Sequence, residues 1–399
     1  MLQLSLSIMA KNPPETMGEL QKLLKVFEAK TRIHVNVTIF PWSTAWSTIS
    51  RYASIENGPD VSEVGTSWVT DLVEKNTLAH FSESDMARLG GETNFYPQVW
   101  ETCKVYGDET IWAVPWITET RMLYYRRDIL EKAGINPGTA FKSSEAFEKT
   151  LATIQASGIT QQPWSVTSRR AMNTLHYTCS WIWGAGGDYC SPDGKKWTLT
   201  HPQTIKGLCA YYALKQYLGP FASRMSDLLA TSTFWGGQSA VTIDGQWALA
   251  VQRRTASPDV VDHVGLTLVP GASYIGGSNL VIWKTCKEPH AAMELINFLN
   301  STEVVLTFQK YTGHLPARKD IFRSSITEED VPFKGVFEQA LQTGRSFPNV
   351  AHWGRLENKM VEVLGLIWED WLNSTSNNIA DIVSQRIGQL QESVEAGLY

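Results

Sequence analysis

The first eighty residues switch repeatedly between two periodicities, and this alternation restricts the fold more than any other feature of the chain. Residues 4–9 read as a strand, and residues 18–30 set Leu20, Leu23, Leu24 and Phe27 on one helical face. Ile33, Val35, Val37 and Ile39 then recur at every second position across 33–40, and 44–56 reads as another helix. A third strand runs through Asp60-Val61-Ser62-Glu63-Val64, and 68–76 is helical. Strand side chains repeat every two residues and helical ones every 3.6, so the succession predicts a mostly parallel sheet wrapped by helices. In open sheets of that kind ligands bind beyond the carboxyl ends of the strands. Those ends are Lys11-Asn12, Pro41-Trp42 and Gly65-Thr66-Ser67-Trp68, and two of the three carry tryptophan.

The later chain implies a second lobe. After the extended Ile111-Trp112-Ala113-Val114-Pro115 comes a polar break, Thr118-Glu119-Thr120-Arg121, and then an extended apolar run over 122–125 that leads into a helix from Asp128. This reads as a first crossing between lobes. Residues 143–156 and 203–217 are helical, and Trp181-Ile182-Trp183-Gly184-Ala185-Gly186-Gly187-Asp188 between them reads as a flexible glycine-rich turn laden with aromatics. Residues 240–243 and 266–269 are short strands. Gly276-Gly277-Ser278-Asn279 precedes the strand Leu280-Val281-Ile282-Trp283 and marks a second crossing. The last third is helical, with clear periodicity at 359–372 and 379–395. A length of 399 residues suffices for two lobes with separate cores. The expected division is 1–117 with 280–315 in an N-terminal lobe, and 118–279 with 316–399 in a C-terminal lobe. No internal repeat or low-complexity linker is visible.

Composition removes several function classes. The net charge is −5 and the pI about 6.0, where a nucleic-acid binder shows a basic stripe, so no nucleic acid is expected. No apolar run approaches the ~20 residues of a membrane span. The alternating Leu2-Gln3-Leu4-Ser5-Leu6-Ser7-Ile8 has strand patterning rather than the continuous apolar core of a leader, so export implies a signal segment removed ahead of Met1. Cys103, Cys179, Cys190, Cys209 and Cys286 make no CxxC pair and read as small buried side chains, with a Cys179–Cys190 bridge left open. No metal and no cofactor is expected. The chain is rich in tryptophan, with 16 copies. Several stand beside polar residues and glycine where the chain turns, as rings that stack on the flat apolar faces of a sugar would.

Several segments, in order along most of the chain, resemble the extracellular solute-binding proteins of carbohydrate ABC importers, the maltose-binding protein superfamily. They are Gly58-Pro59-Asp60-Val61 with Ser67-Trp68 and Leu72; Trp112-Ala113-Val114-Pro115 through Leu123-Tyr124-Tyr125-Arg126-Arg127-Asp128-Ile129-Leu130 and Ala133-Gly134-Ile135; and Gly186-Gly187 with Asp193-Gly194. Ala240-Val241-Thr242-Ile243-Asp244-Gly245-Gln246-Trp247, Gly276-Gly277-Ser278-Asn279 and Gly313-His314-Leu315-Pro316-Ala317 complete the set. The resemblance implies a two-lobed α/β periplasmic-binding-protein fold, joined by hinge strands, with a cleft that closes on ligand. It further implies an extracytoplasmic monomer, periplasmic or lipid-anchored, that delivers a sugar to ABC permease subunits.

Candidate site residues follow from strand ends and from this resemblance. Glu119 corresponds to an acidic residue that binds sugar hydroxyls in maltose-binding relatives, and a carboxylate accepts strong charge-assisted hydrogen bonds from adjacent hydroxyls. Trp247 matches a stacking tryptophan; Asp244 before it binds hydroxyls or caps a helix. Trp42, Ser67 and Trp68 lie at strand ends, as does Asn12. Gly277 and Ser278 offer backbone and hydroxyl groups, or belong to a hinge that requires glycine. His176 and Trp183 fall in the segment supplying second-lobe contacts, and Trp353 precedes a helix where relatives place an aromatic. The tip Lys11-Asn12-Pro13-Pro14-Glu15 departs from the maltose-binding pattern, so maltose is not carried over. A glycoside hydrolase needs two positioned acids, and no motif singles out such a pair; no GxSxG, HExxH, Walker loop or GxGxxG occurs. A cation or phosphate ligand would call for acidic clusters or helix N-termini with arginine, whereas Trp, Ser, Thr and Asn at the strand ends favour a neutral polyhydroxylated solute.

Overall fold

The computed structural model describes residues 2–10, 13–375 and 378–397. Its nine strands are β1 (Leu2–Met9), β2 (Ile33–Phe40), β3 (Val61–Gly65), β4 (Val114–Arg126), β5 (Trp164–Ser165), β6 (Val241–Gly245), β7 (Val264–Thr267), β8 (Ile275–Ile282) and β9 (Leu315–Pro316). The chain divides into two compact units. Unit one is Met1–Glu119, Ile275–Val331 and Ser346–Gly354; unit two is Thr120–Tyr274, Pro332–Arg345 and Arg355–Tyr399.

In unit one the strands run in the order β2-β1-β3-β8-β4. β1 is parallel to β2 and β3, with Leu6 opposite both Val37 and Val61, while β8 is antiparallel to β3. The sheet is therefore mixed where a mostly parallel one was expected, because β8 belongs to the returning chain rather than to a strand–helix–strand step. Asp60 fastens β3 to β1: its Oδ2 accepts from the Ser5 amide and hydroxyl, both at 2.7 Å, and its own amide donates to Ser5 Oγ at 2.9 Å. The core between this sheet and its helices contains Phe40, Ile49, Val64, Leu72, Val281 and Trp283. Trp283 is enclosed, donates from Nε1 to Ser62 Oγ at 2.7 Å, and meets Tyr52 edge-on at 6.1 Å. A Cβ on Gly58 would lie 2.3 Å from its ring. Elsewhere Trp116 stacks on Phe308 at 5.1 Å and donates to the Leu299 carbonyl.

Unit two is built on the second half of β4, which pairs antiparallel with β6 and with β7; β5 lies parallel to β6. Aromatics fill its core. Phe147 meets Trp164 at 5.1 Å, Trp181 meets Tyr211 at 5.2 Å, and Tyr212 meets Trp368 at 4.7 Å. Much of the tryptophan excess is thus internal packing.

Several expectations change. The polar break at 118–121 is continuous strand, because Thr118 Oγ1 donates to the Gly276 carbonyl and the Thr120 amide to Gln246 Oε1. Trp181, Trp183 and Gly184 end the helix Met172–Gly184 rather than forming a turn; ten consecutive buried residues, 174–183, show that it is enclosed on every side. Gly276-Gly277-Ser278-Asn279 lies within β8, not ahead of it. The unit boundaries fall at 119/120 and 274/275, against 117/118 and 279/280. Unit one also keeps residues 316–331 because β9 pairs with Ile117 and Thr118 of β4, and Gln309 Nε2 holds the Ser325 carbonyl at 3.0 Å. The five cysteines are free; Cys103, Cys179 and Cys190 are buried, and burial pushes each of these thiols up. No described helix is long and apolar enough to cross a membrane.

Trp283→Ala removes the largest side chain where β3, β8 and the neighbouring helices meet. Chemical denaturation is expected to show a loss of about 3–5 kcal/mol, as for other buried Trp→Ala changes. Gly58→Ala is expected to destabilise as well, through the clash with the same ring.

Candidate functional site

The strand ends of unit one carry an aromatic group. Trp42 is the first residue of the helix Trp42–Ser54 and is 36% exposed. Its ring lies 6.4 Å from that of Trp68, which Trp46 approaches at 5.4 Å from the next helical turn. Trp68 is nearly enclosed and folds over Gly65, where a Cβ would come within 2.9 Å of it. Ser67 beside it is half-buried, as is Glu119 at the end of the unit-one half of β4. Asn12 lies outside the described residues.

Beneath this group is a residue that the sequence reading passed over. Glu63, near the end of β3, is buried, and its Oε2 accepts from the Met9 amide at 2.7 Å while Oε1 accepts from the Ser278 hydroxyl at 2.5 Å. One carboxylate thus ties the end of β1 to the middle of β8. Desolvation raises it to about 7 against the two hydrogen bonds, which favour the ionised form. The sequence signal was available: a Glu at the inward-facing period of a five-residue strand has to find internal partners. Ser278 is consequently committed to Glu63 and fully buried. Gly277 has φ of 120°, and a Cβ there would sit 2.2 Å from the Ile117 carbonyl oxygen. Its absent side chain serves strand-to-strand approach. Trp353 is also enclosed, packed on Phe347 at 4.9 Å. It starts the helix Trp353–Asn373, where Asp71 lies so close to Gly354 that a Cβ would come within 2.1 Å of Oδ2.

Unit two gathers its candidates around Arg121. In the β4–β6 register Arg121 stands opposite Gly245. Having no side chain, Gly245 lets the Trp247 ring fold back over it; a Cβ would lie 1.9 Å from that ring. The Arg121 guanidinium then rests 4.6 Å from the Trp247 centroid and 5.5 Å from that of Tyr274. Its terminal nitrogen donates to Asn173 Oδ1 at 3.2 Å and lies 2.8 Å from His176 Nδ1. His176 stacks on Tyr274 at 4.2 Å with an interplanar angle of 12°. Burial, and then the Arg121 charge, hold His176 well below its usual range, so the ring is neutral and Nδ1 accepts from the guanidinium. Asp244 is buried; it accepts from Thr231 Oγ1 at 2.7 Å and from the Gly245 amide at 2.8 Å. Trp183 donates to Asp188 Oδ1 at 3.4 Å, and Arg345 covers its ring at 4.8 Å while pairing with Asp188 Oδ2 at 2.6 Å.

The structure therefore brings His176, Asp244 and Trp247 into one neighbourhood of unit two, and Trp42, Ser67 and Trp68 into one of unit one. Gly277, Ser278 and Trp353 take internal positions. Arg121, Tyr274, Arg345 and Asp188 were missed. Arg121 stood in what read as a polar break, and the other three acquire meaning only through tertiary neighbours. No group of three or more His, Cys, Asp or Glu side chains able to hold a metal ion occurs among the described residues.

This α/β architecture, in two units each with aromatics and polar groups at its strand ends, defines a solute-binding protein. Residues 10–305 match the family model of bacterial extracellular solute-binding proteins, and the chain belongs to that family. The family is extracytoplasmic. Among curated relatives, the diacetylchitobiose binding protein DasA of Streptomyces coelicolor is 24% identical, over 84% of this chain and 78% of its own length. Among solved structures, an ABC transporter solute-binding protein of Thermotoga lettingae bound with α-D-tagatose aligns with a TM-score of 0.79 at 22% identity, over 98% of this chain and 100% of that one. The sugar-binding protein MalE of Xanthomonas citri aligns equally well, with a TM-score of 0.79, 22% identity, and coverage of 99% and 98%. These likenesses establish the fold expected from the sequence, that of the two-lobed binding proteins.

Two buried groups give opposing pH dependences. The folded state holds the Glu63 proton up to about pH 7 and the unfolded chain only to about 4.5, so this group's contribution declines as pH rises through that window, by on the order of 3 kcal/mol. His176 acts the other way: below its usual range the unfolded chain takes a proton that the folded protein refuses, so stability falls on acidification. In Glu63→Gln the first dependence disappears. Urea denaturation from pH 4.5 to 7.5 is expected to show stability of that variant rising more steeply with pH than in the parent.

Proposed function

We propose that this protein is the capturing component of an ABC importer for a carbohydrate and performs no chemistry on it. The observation that carries the reading is Trp247. It follows β6 directly, its ring is only partly buried, and it stands beside Asp244 and Arg121 at the carboxyl end of the strand. An aromatic face flanked by charged hydrogen-bonding groups suits a pyranose, whose C–H face is apolar and whose rim is hydroxylated. The names of its relatives support the class: one is described as binding diacetylchitobiose, and another structure holds tagatose.

Under this reading Trp247 and the exposed Trp42 are the stacking surfaces, with Trp68 and Trp183 supporting them. Glu119, Ser67, Asp244 and His176 provide hydrogen-bonding groups. Gly277, Ser278 and Trp353 maintain the scaffold, and Asn12 is a further contact. The solute then passes to permease subunits in the membrane, and the protein acts as a monomer, free outside the membrane or lipid-anchored. The family's description as solute-binding proteins supports the reading that no chemistry is done on the ligand.

Intrinsic fluorescence during titration with mono- and oligosaccharides, sugar alcohols and charged solutes tests this. A sugar is expected to produce a saturating change. Trp247→Ala is expected to weaken binding by at least about tenfold, and Glu119→Ala by about 10- to 100-fold, the range for a charge-assisted hydrogen bond. A saturating response confined to non-sugar solutes overturns the carbohydrate reading and leaves the family intact. New reducing ends after incubation with glycans would show an enzyme instead.

A further inference from the structure

One edge of the unit-two sheet is unusually rich in arginine for a chain of net charge −5. β5 and β6 are parallel, with Trp164 opposite Val241 and Ser165 opposite Thr242, so both carboxyl ends reach the same edge. Arg121 joins them there through its register with Gly245. Immediately beyond β5, Arg169 and Arg170 are exposed. The preceding residues hold a second loop alongside. The Ser168 amide donates to the Met225 carbonyl at 2.9 Å, Thr167 Oγ1 reaches the same oxygen at 3.3 Å, and the Ser168 hydroxyl donates to the Ala222 carbonyl. This brings the exposed Arg224 to the same edge, with exposed Phe221 in the same loop. Asn173, three residues after Arg170, accepts from Arg121. Arg345 arrives through its amide bond to the Ser273 carbonyl at 2.9 Å, next to Tyr274.

Arg121, Arg169, Arg170 and Arg224 are thus carried by three segments at the carboxyl ends of β5 and β6, where an open sheet receives its ligand, and Arg345 stands at the far end of the helix Met172–Gly184, against Trp183. Two are already oriented against aromatic faces, Arg121 on Trp247 and Arg345 on Trp183. A stacked guanidinium directs its N–H groups outward in its own plane, the geometry that grips a carboxylate or sulfate with two parallel hydrogen bonds. Of the carboxylates nearby, Asp244 accepts from Thr231 and Gly245, and Asp188 from Arg345 and the Tyr189 amide; Asp227, three residues after Arg224, starts the helix Asp227–Trp235. Arg169, Arg170 and Arg224 are exposed, although the Arg170 backbone lies close against Gly365.

We propose that the captured carbohydrate is acidic, bearing carboxylate or sulfate groups, and that Arg169, Arg170 and Arg224 select it by charge while the tryptophans stack on its rings. This rests on the carbohydrate reading above and replaces the neutral solute favoured by the strand-end composition alone.

Calorimetric titration with digalacturonate, its dimethyl ester and a sulfated disaccharide tests it. The ester keeps the rings and removes the charge. Digalacturonate or the sulfated sugar is expected to bind at least about tenfold more tightly than the ester. That preference is expected to shrink as salt rises. Arg169→Gln with Arg170→Gln, and separately Arg224→Gln, are expected to weaken binding of the acidic sugar several-fold and leave the ester unchanged; all three are surface residues, and unaltered thermal unfolding would show that the fold is kept. An ester that binds as tightly as the acid, or acid binding indifferent to all three substitutions, overturns the proposal while carbohydrate capture stands. Inorganic sulfate that binds where none of the three sugars does overturns the carbohydrate reading along with it.

Discussion

One strand supplies backbone partners to the sheets of both units. β4 runs thirteen residues from Val114 to Arg126, and all but Glu119 are buried. Its first half meets β8 and β9, and its second half β6 and β7. Every peptide group along a buried strand has to be hydrogen-bonded, so the strand can leave one sheet only by entering another. The polar residues Thr118, Glu119, Thr120 and Arg121 stand where that change occurs, and at least two of their groups bond to neighbouring strand segments. What read as a polar break is therefore held in the strand by its backbone ladder.

The same conflict decides how much was legible in the sequence. The strand–helix rhythm of unit one came directly from periodicity, most plainly in β2, where half-buried and exposed positions alternate from Val35 to Ile39, and the two long C-terminal helices of unit two were legible in the same way. The element Asp244-Gly245-Gln246-Trp247 was legible too, because a glycine at a strand end followed by a large ring has few uses. What periodicity could not supply was the set of partners. Glu63 and Arg121 are charged residues inside strands, and a single sequence offers no way to name the amide, hydroxyl or ring that accommodates them. Trp181 and Trp183 misled for the opposite reason. Their glycine-rich sequel suggested a turn, whereas burial on every side stabilises helix up to Gly184.

Aromatic residues serve two purposes in this molecule, and exposure separates them. Trp116, Trp164, Trp283, Trp353 and Trp368 are enclosed and contribute packing. Trp42 and Trp247 keep part of their surface open at strand ends. A glycine shows how Trp247 is placed: Gly245 lies under its ring two residues further on. Removing a Cβ from the strand end lets the ring turn back across the backbone, which fixes its plane without enclosing it.

The buried thiols carry a consequence of another kind. A protein that works outside the cytoplasm meets an oxidising medium, yet its cysteines are free, and Cys103 and Cys179 are kept protonated by burial. A protonated, enclosed thiol is a poor nucleophile, so the native packing itself is the antioxidant. That protection ends when the chain opens. The three enclosed thiols then join the half-exposed Cys209 and Cys286, with no native pairing to guide them, and unfolding in air competes with scrambled cross-linking. Oxidation of thiols exposed in this way is one route by which unfolding turns irreversible.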